Sequence, residues 1–201
     1  MGAANSTIGL DFDNTIACHD QSFHLLGAQR LNLPLSLKLS KSDVRKIFRD
    51  LDREQEWTEL QGIAYGEGMG KAQPFEGALE FVRAAVQGGK NIKIISHRTK
   101  YPIVGEQTDL HHSAMDWLMK AGFVGSGALA PDDVFFETTK EAKCERIRAE
   151  GCSVFLDDLP EILESPLFPE SVEGWLFAPG AETDLTRRVV RDWDSFACQV
   201  L

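Results

Sequence analysis

Five short runs of this chain are apolar almost without interruption: Thr7–Asp11 (TIGLD), Ile92–Ser96 (IKIIS), Val134–Glu137 (VFFE), Ser153–Asp157 (SVFLD) and Trp175–Phe177 (WLF). A strand that alternates apolar and polar residues buries one face, whereas a strand with no alternation buries both. Between the runs lie segments with helical spacing. Ala78–Gln87 is ended by Gly88 and Gly89, His112–Ala121 is stopped by Gly122, and Lys140–Glu150 is ended by Gly151. A closing helix is predicted from about Asp184 to Ala197. Strands buried on both faces, alternating with helices, predict an α/β fold in which a parallel sheet is covered on both sides.

One stretch breaks the alternation. From about Cys18 to Gln73 there is no convincing strand. Phe23–Leu31 and Lys41–Leu60 carry apolar residues at helical spacing, Pro34 separates them, and Ser40 or Ser42 is placed to cap the second. Gly62 to Gly77 holds glycines at 62, 66, 68, 70 and 77 and is predicted to be a loop or hinge. The organisation that follows is a core of residues 1–17 and 74–201 with a helical insertion, residues 18–73, after the first strand.

Charge narrows the range of partners. Thirty-one acids stand against 21 Lys and Arg, for a net charge of -10. Such a charge does not favour a nucleic-acid backbone or an anionic membrane, so neither is expected as a partner, while a locally positive pocket is still allowed. No apolar run is long enough to span a bilayer, and the first residues lack the basic and hydrophobic regions of a secretory signal. Cys18, Cys144, Cys152 and Cys198 show no CxxC or Cys/His spacing for zinc, and are expected to be reduced thiols in a cytoplasmic protein.

Ligands of open parallel α/β sheets sit at the carboxyl ends of the strands. Here the first run ends in Asp11 and Asp13, the second in Ser96 followed by His97, Arg98 and Thr99, and the fourth in Asp157 and Asp158. The helix after the third run carries Lys140 and Lys143. Acids gathered at one rim repel each other unless a cation sits among them. Carboxylate oxygens suit Mg²⁺, and a hydroxyl, an ammonium and Mg²⁺ at one point are what a phosphoryl group requires. Side chains two apart on a strand share a face, so Asp11 and Asp13 both face the substrate side.

With these residues in place, the sequence resembles the haloacid dehalogenase (HAD) superfamily. DFDNT is similar to its first motif, DxDx[TV]; Ser96 at the end of IKIIS to the second; Lys143 to the third; VFLDD to the fourth. Lys140 is the fallback for Lys143, one turn earlier. The resemblance implies a Rossmann-like sheet with a small helical cap of the kind inserted after the first motif. It also implies a Mg²⁺-dependent phosphomonoesterase acting on a small phosphorylated metabolite through an aspartyl-phosphate. Asp11 is then the nucleophile, and Asp13 the acid and base. Ser96 and Lys143 hold the phosphoryl group, with His97 and Arg98 as further substrate contacts. Asp11, Asp13 through its carbonyl, Asp157 and Asp158 form the metal shell. A phosphomutase or phosphonatase of the same superfamily, or a non-catalytic binding protein on the same fold, is the alternative. The oligomeric state is left open.

Overall fold

The computed structural model describes residues 6–180 and 188–201. In chain order its helices are α1 (Asp20–Leu31), α2 (Lys41–Asp50), α3 (Glu54–Tyr65), α4 (Ala78–Gln87), α5 (Leu110–Lys120), α6 (Lys140–Ala149), α7 (Pro160–Leu163) and α8 (Trp193–Val200). The strands of the main sheet are β1 (Thr7–Leu10), β2 (Asn91–His97), β3 (Val134–Glu137), β4 (Cys152–Asp157), β5 (Glu173–Phe177) and β6 (Val189–Val190). Two compact units result. Met1–Ile16, Pro74–Arg98 and Met119–Leu201 form the first, and Ala17–Gln73 with Thr99–Leu118 form the second.

The first unit is an α/β domain around a six-stranded parallel sheet, ordered β3-β2-β1-β4-β5-β6. Every residue of β1 is buried, as its unbroken apolar run requires. Its register sets Leu10 beside Ile94 on one flank and beside Leu156 on the other. Gly9 has a packing reason: a Cβ there would lie 2.4 Å from the ring of Phe155 on β4 and 2.9 Å from the Cys152 sulfur. Phe155 joins Ile95, Ile147, Cys152 and Val172 in one apolar cluster. A second cluster forms where Phe81 of α4 meets Trp193 and Phe196 of α8, with ring centroids 5.2 and 5.1 Å away.

The end of the chain departs from the expectation. Residues 184–187 of the expected closing helix lie outside the described residues. Val189 and Val190 form a sixth strand beside Leu176 and Phe177, in keeping with their β-branched side chains. The helix starts only at Trp193, where the Asp192 carboxylate caps it by accepting from the Ser195 N–H at 2.6 Å.

The second unit is mainly helical, with one short ribbon in which the strand Ala17–Cys18 pairs with the strand that begins at Gln73. Phe23, Val44, Phe48, Trp57, Leu60 and Ala64 make its core. Burying a side chain of the size of Phe48 or Leu60 contributes roughly 1.5–3 kcal/mol. Ser40 caps α2 in a reciprocal box with Asp43, each accepting from the other's backbone N–H. The helical spacing over Lys41–Leu60 resolves into two helices rather than one. Asp52 breaks it with a left-handed backbone (φ 56°), and Leu51 is exposed. The glycine-rich stretch is more regular than a loop. Gly62 lies within α3, where a Cβ would press on Pro102 at 2.9 Å, and Glu67–Lys71 is a 3-10 helix. Residues 99–118, which the sequence placed with the core, cluster with this unit. Trp117 of α5 donates its indole N–H to the Ala72 carbonyl at 3.0 Å.

None of the four cysteines forms a disulfide. Among the described residues no helix is long and apolar enough to cross a membrane.

Candidate active site

The opening acids follow from the register of the sheet. The Asp11 N–H donates to the Leu156 carbonyl at 2.9 Å, so the β1–β4 ladder runs one residue past the strand and sets Asp11 beside Asp157. Phe12 is fully buried, on the face opposite to its neighbours. Past Asp13 the chain turns sharply. Asn14 adopts a left-handed conformation (φ 60°), which asparagine tolerates better than most residues. The Ile16 N–H then closes the turn on the Phe12 carbonyl at 3.0 Å. Trp193 braces this turn from α8 by donating its indole N–H to the Thr15 carbonyl at 3.2 Å.

Two buried carboxylates side by side need a positive charge between them, and Lys143 supplies it. Its Nζ donates to Asp11 Oδ1 and to Asp157 Oδ2, each at 2.6 Å, with all three side chains at most 5% exposed. Helix α6 aims it. Thr139 is the N-cap, accepting from the Ala142 N–H at 3.1 Å, and Lys143 sits one turn in. Lys140, in the first turn, is half-exposed and pairs with Glu161 instead. Burial pushes Asp11 up to about 7; the Lys143 charge opposes this and the Asp157 carboxylate adds to it. Burial pulls Lys143 down, but Asp11 and Asp157 outweigh it and hold the ammonium above its ordinary value. Asp157 is oriented further by the Leu159 N–H, which donates to its Oδ1 at 3.0 Å.

Asp13 is held differently. Arg98 Nη2 donates to Asp13 Oδ1 at 2.7 Å and its Nε to Oδ2 at 3.1 Å, a two-pronged contact. The Arg98 side chain is 2% exposed and that of Asp13 18%. The guanidinium carbon lies 5.3 Å from the centroid of the Phe12 ring, which itself meets Phe136 edge-on at 6.1 Å. The backbone N–H of Arg98 is tied to the Glu137 carbonyl at 2.7 Å.

Ser96 ends the apolar part of β2. Its hydroxyl is buried and has no hydrogen-bond partner among the described residues, a costly state in an interior unless a ligand completes it. His97, half-buried, is lowered by burial first and the Lys143 charge second. Asp158 joins Asp11 and Asp157 in a group whose oxygens lie within 4.8 Å of one another. These oxygens are hard donors of the type Mg²⁺ takes. Two features escaped the sequence reading. The Thr15 hydroxyl, like that of Ser96, is buried without a partner among the described residues; its place in DFDNT was the available signal. The grip of Arg98 on Asp13 spans 85 positions and had no local signal.

No protein-family model matches the sequence, and no curated protein matches it. Solved structures do match. A predicted phosphatase from Clostridium acetobutylicum superposes with a TM-score of 0.62 at 11% identity, over 98% of this chain and 99% of that one. A phosphoserine phosphohydrolase-like protein from Francisella tularensis gives 0.60 at 13% identity, over 98% and 100%. The HAD-hydrolase YfnB from Bacillus subtilis, solved bound to magnesium, gives 0.56 at 13% identity, over 98% and 99%. The fold of this chain is therefore the one shared by hydrolases of the HAD superfamily.

Proposed function

We propose that the protein is a metal-dependent phosphomonoesterase that hydrolyses a small phosphorylated metabolite through an aspartyl-phosphate. The observation that carries this reading is the buried arrangement of Asp11, Lys143 and Asp157, to which the end of β2 adds a buried Ser96 hydroxyl with no partner among the described residues. A carboxylate sunk this deep and held by an ammonium is a poor surface group but a suitable nucleophile.

In this reading an Asp11 oxygen attacks phosphorus, the ester P–O bond breaks, and Asp13 gives a proton to the departing oxygen. Asp13 then takes a proton from a water that attacks the same phosphorus, which releases phosphate and restores Asp11. Ser96 donates its hydroxyl to a phosphoryl oxygen, and Lys143 shifts charge from the nucleophile towards the phosphoryl group. His97 lines the phosphoryl side. The group of Asp11, Asp157 and Asp158, with the Asp13 carbonyl, would hold Mg²⁺, and the bound ion supplies positive charge to the phosphoryl oxygens. The magnesium in the B. subtilis hydrolase structure supports that choice of metal. The helical unit is assigned the role of cap, selecting the metabolite.

The test is phosphate release from a panel of small phosphate esters, with Mg²⁺ and with EDTA. Metal-dependent release is expected in the wild type. Asp11→Asn should lower it by a factor on the order of 10³ or more, since removal of a nucleophile leaves only residual catalysis. Release that survives EDTA, or that Asp11→Asn leaves intact, overturns the reading.

A further inference from the structure

We propose that Arg98 is a positioning residue for Asp13 rather than a contact for the substrate phosphate. This rests on the phosphatase reading above and deepens it. The sequence placed Arg98 among the substrate contacts because it follows the strand-end serine; the structure shows the guanidinium already committed. Both prongs meet Asp13, at 2.7 and 3.1 Å. Its guanidinium carbon lies over the Phe12 ring, and its backbone is pinned to Glu137. With 2% of its side chain exposed, Arg98 offers little to a phosphate arriving from solvent. Asp13 is the more accessible partner, at 18%.

The chemistry gives the contact a purpose. An ionised carboxylate has about four lone-pair sites. Arg98 takes one on each oxygen, which sets the plane in which Asp13 gives up and takes back its proton. A planar fork fixes the plane of the carboxylate as well as its distance, which a lysine cannot do. Asp13 sits past the end of β1, just before the left-handed residue Asn14 that opens the turn. Asp11 is anchored by Lys143, and Arg98 gives Asp13 an anchor of its own.

The experiment is a double-mutant cycle of Arg98→Ala, Asp13→Asn and the pair, with Arg98→Lys beside them. kcat and KM are read on p-nitrophenyl phosphate and on glycerol phosphate, whose leaving group needs a proton. A proton-transferring side chain contributes on the order of 10²–10⁴-fold. Arg98→Ala should forfeit roughly 10- to 100-fold of that in kcat on glycerol phosphate, with less loss on p-nitrophenyl phosphate and KM nearly unchanged. In the Asp13→Asn background the same substitution should cost almost nothing, because the cycle isolates a residue that acts through its partner. Arg98→Lys, which keeps the charge and loses the fork, should fall short of the wild type. Losses that multiply across the pair, or a raised KM with kcat preserved, overturn the positioning role and return Arg98 to the phosphate. Should Arg98→Ala fail to fold, full activity of a folded Arg98→Lys overturns the proposal equally. No metal-dependent turnover by wild-type protein on any ester overturns the phosphatase reading itself, and this proposal with it.

Discussion

Asp11 and Asp13 stand two positions apart in one short segment, yet the structure grips them by opposite means. Asp11 is met by an ammonium on a flexible stem, a point charge shared with Asp157. Asp13 is met by a rigid fork that touches both of its oxygens. A lysine can follow charge as it moves from a carboxylate to an incoming phosphoryl group without being tied to one geometry; an arginine fixes geometry and stays. The difference matches what each acid is proposed to do. A nucleophile must give up its partner's full attention during the reaction, whereas a proton carrier must point the same way in both halves of it.

The largest expected effect comes from breaking the lysine side. Lys143→Met leaves two buried carboxylates uncompensated and should lower stability by roughly 3–5 kcal/mol, the usual cost of orphaning one half of a buried pair, as read by urea denaturation. The sign of its pH dependence is fixed. Asp11 is raised from 3.8 to about 7, and loss of the ammonium that opposes this shift raises it further. A carboxyl raised in the fold contributes stability below its unfolded value and loses it as pH climbs through the folded value. The variant should therefore be more stable at about pH 6 than at about pH 8, by a wider margin than the wild type. Equal margins would show that Lys143 does not set the charge of Asp11.

A smaller effect tests the arginine side alone. Phe12→Leu removes the ring beneath Arg98 and should cost about 1–2 kcal/mol from the lost cation–π contact and the reshaped packing. Turnover on glycerol phosphate should fall while stabilisation by Mg²⁺ stays at the wild-type level. A loss of Mg²⁺ stabilisation would mean that the two grips are not independent. The smallest change in stability is expected at Ser96. Ser96→Ala removes a buried hydroxyl without a partner among the described residues, so the melting temperature should hold or rise, by the equivalent of about 1 kcal/mol at most. Stabilisation by inorganic phosphate should nevertheless weaken. Unchanged phosphate stabilisation would remove Ser96 from the phosphoryl site.

The sequence made the lysine side legible and left the arginine side hidden. The apolar runs that become β1, β2 and β4 are plain in the sequence, so the residues that end those runs, Asp11, Ser96 and Asp157, can be brought to one rim without coordinates. Lys143 and Lys140 lie one turn apart on one helix, and their different partners, buried Asp11 and Asp157 for the first and exposed Glu161 for the second, separate them only in the structure. The Arg98–Asp13 contact depends on how Phe12 packs between the turn and β3, and no spacing rule reports it. The break at Asp52 and the two-residue strand Val189–Val190 were lost for a related reason. Each is shorter than the window over which hydrophobic periodicity can be read. Residues 99–118 join the helical unit through contacts such as that of Trp117 with Ala72, which leave no mark on composition.

Gly9 carries a consequence for how this protein can change over time. A methyl group at position 9 collides with the ring of Phe155, and the same ring lies 5.4 Å from the Lys143 ammonium. Descendants can acquire alanine at 9 only after 155 has shrunk, and the reverse order passes through a strained intermediate. Shrinking 155 in turn removes the surface on which Lys143 rests. Positions 9, 155 and 143 thus form an epistatic chain, in which the glycine, although remote from any proton or phosphate, restricts the mutational routes open to the lysine.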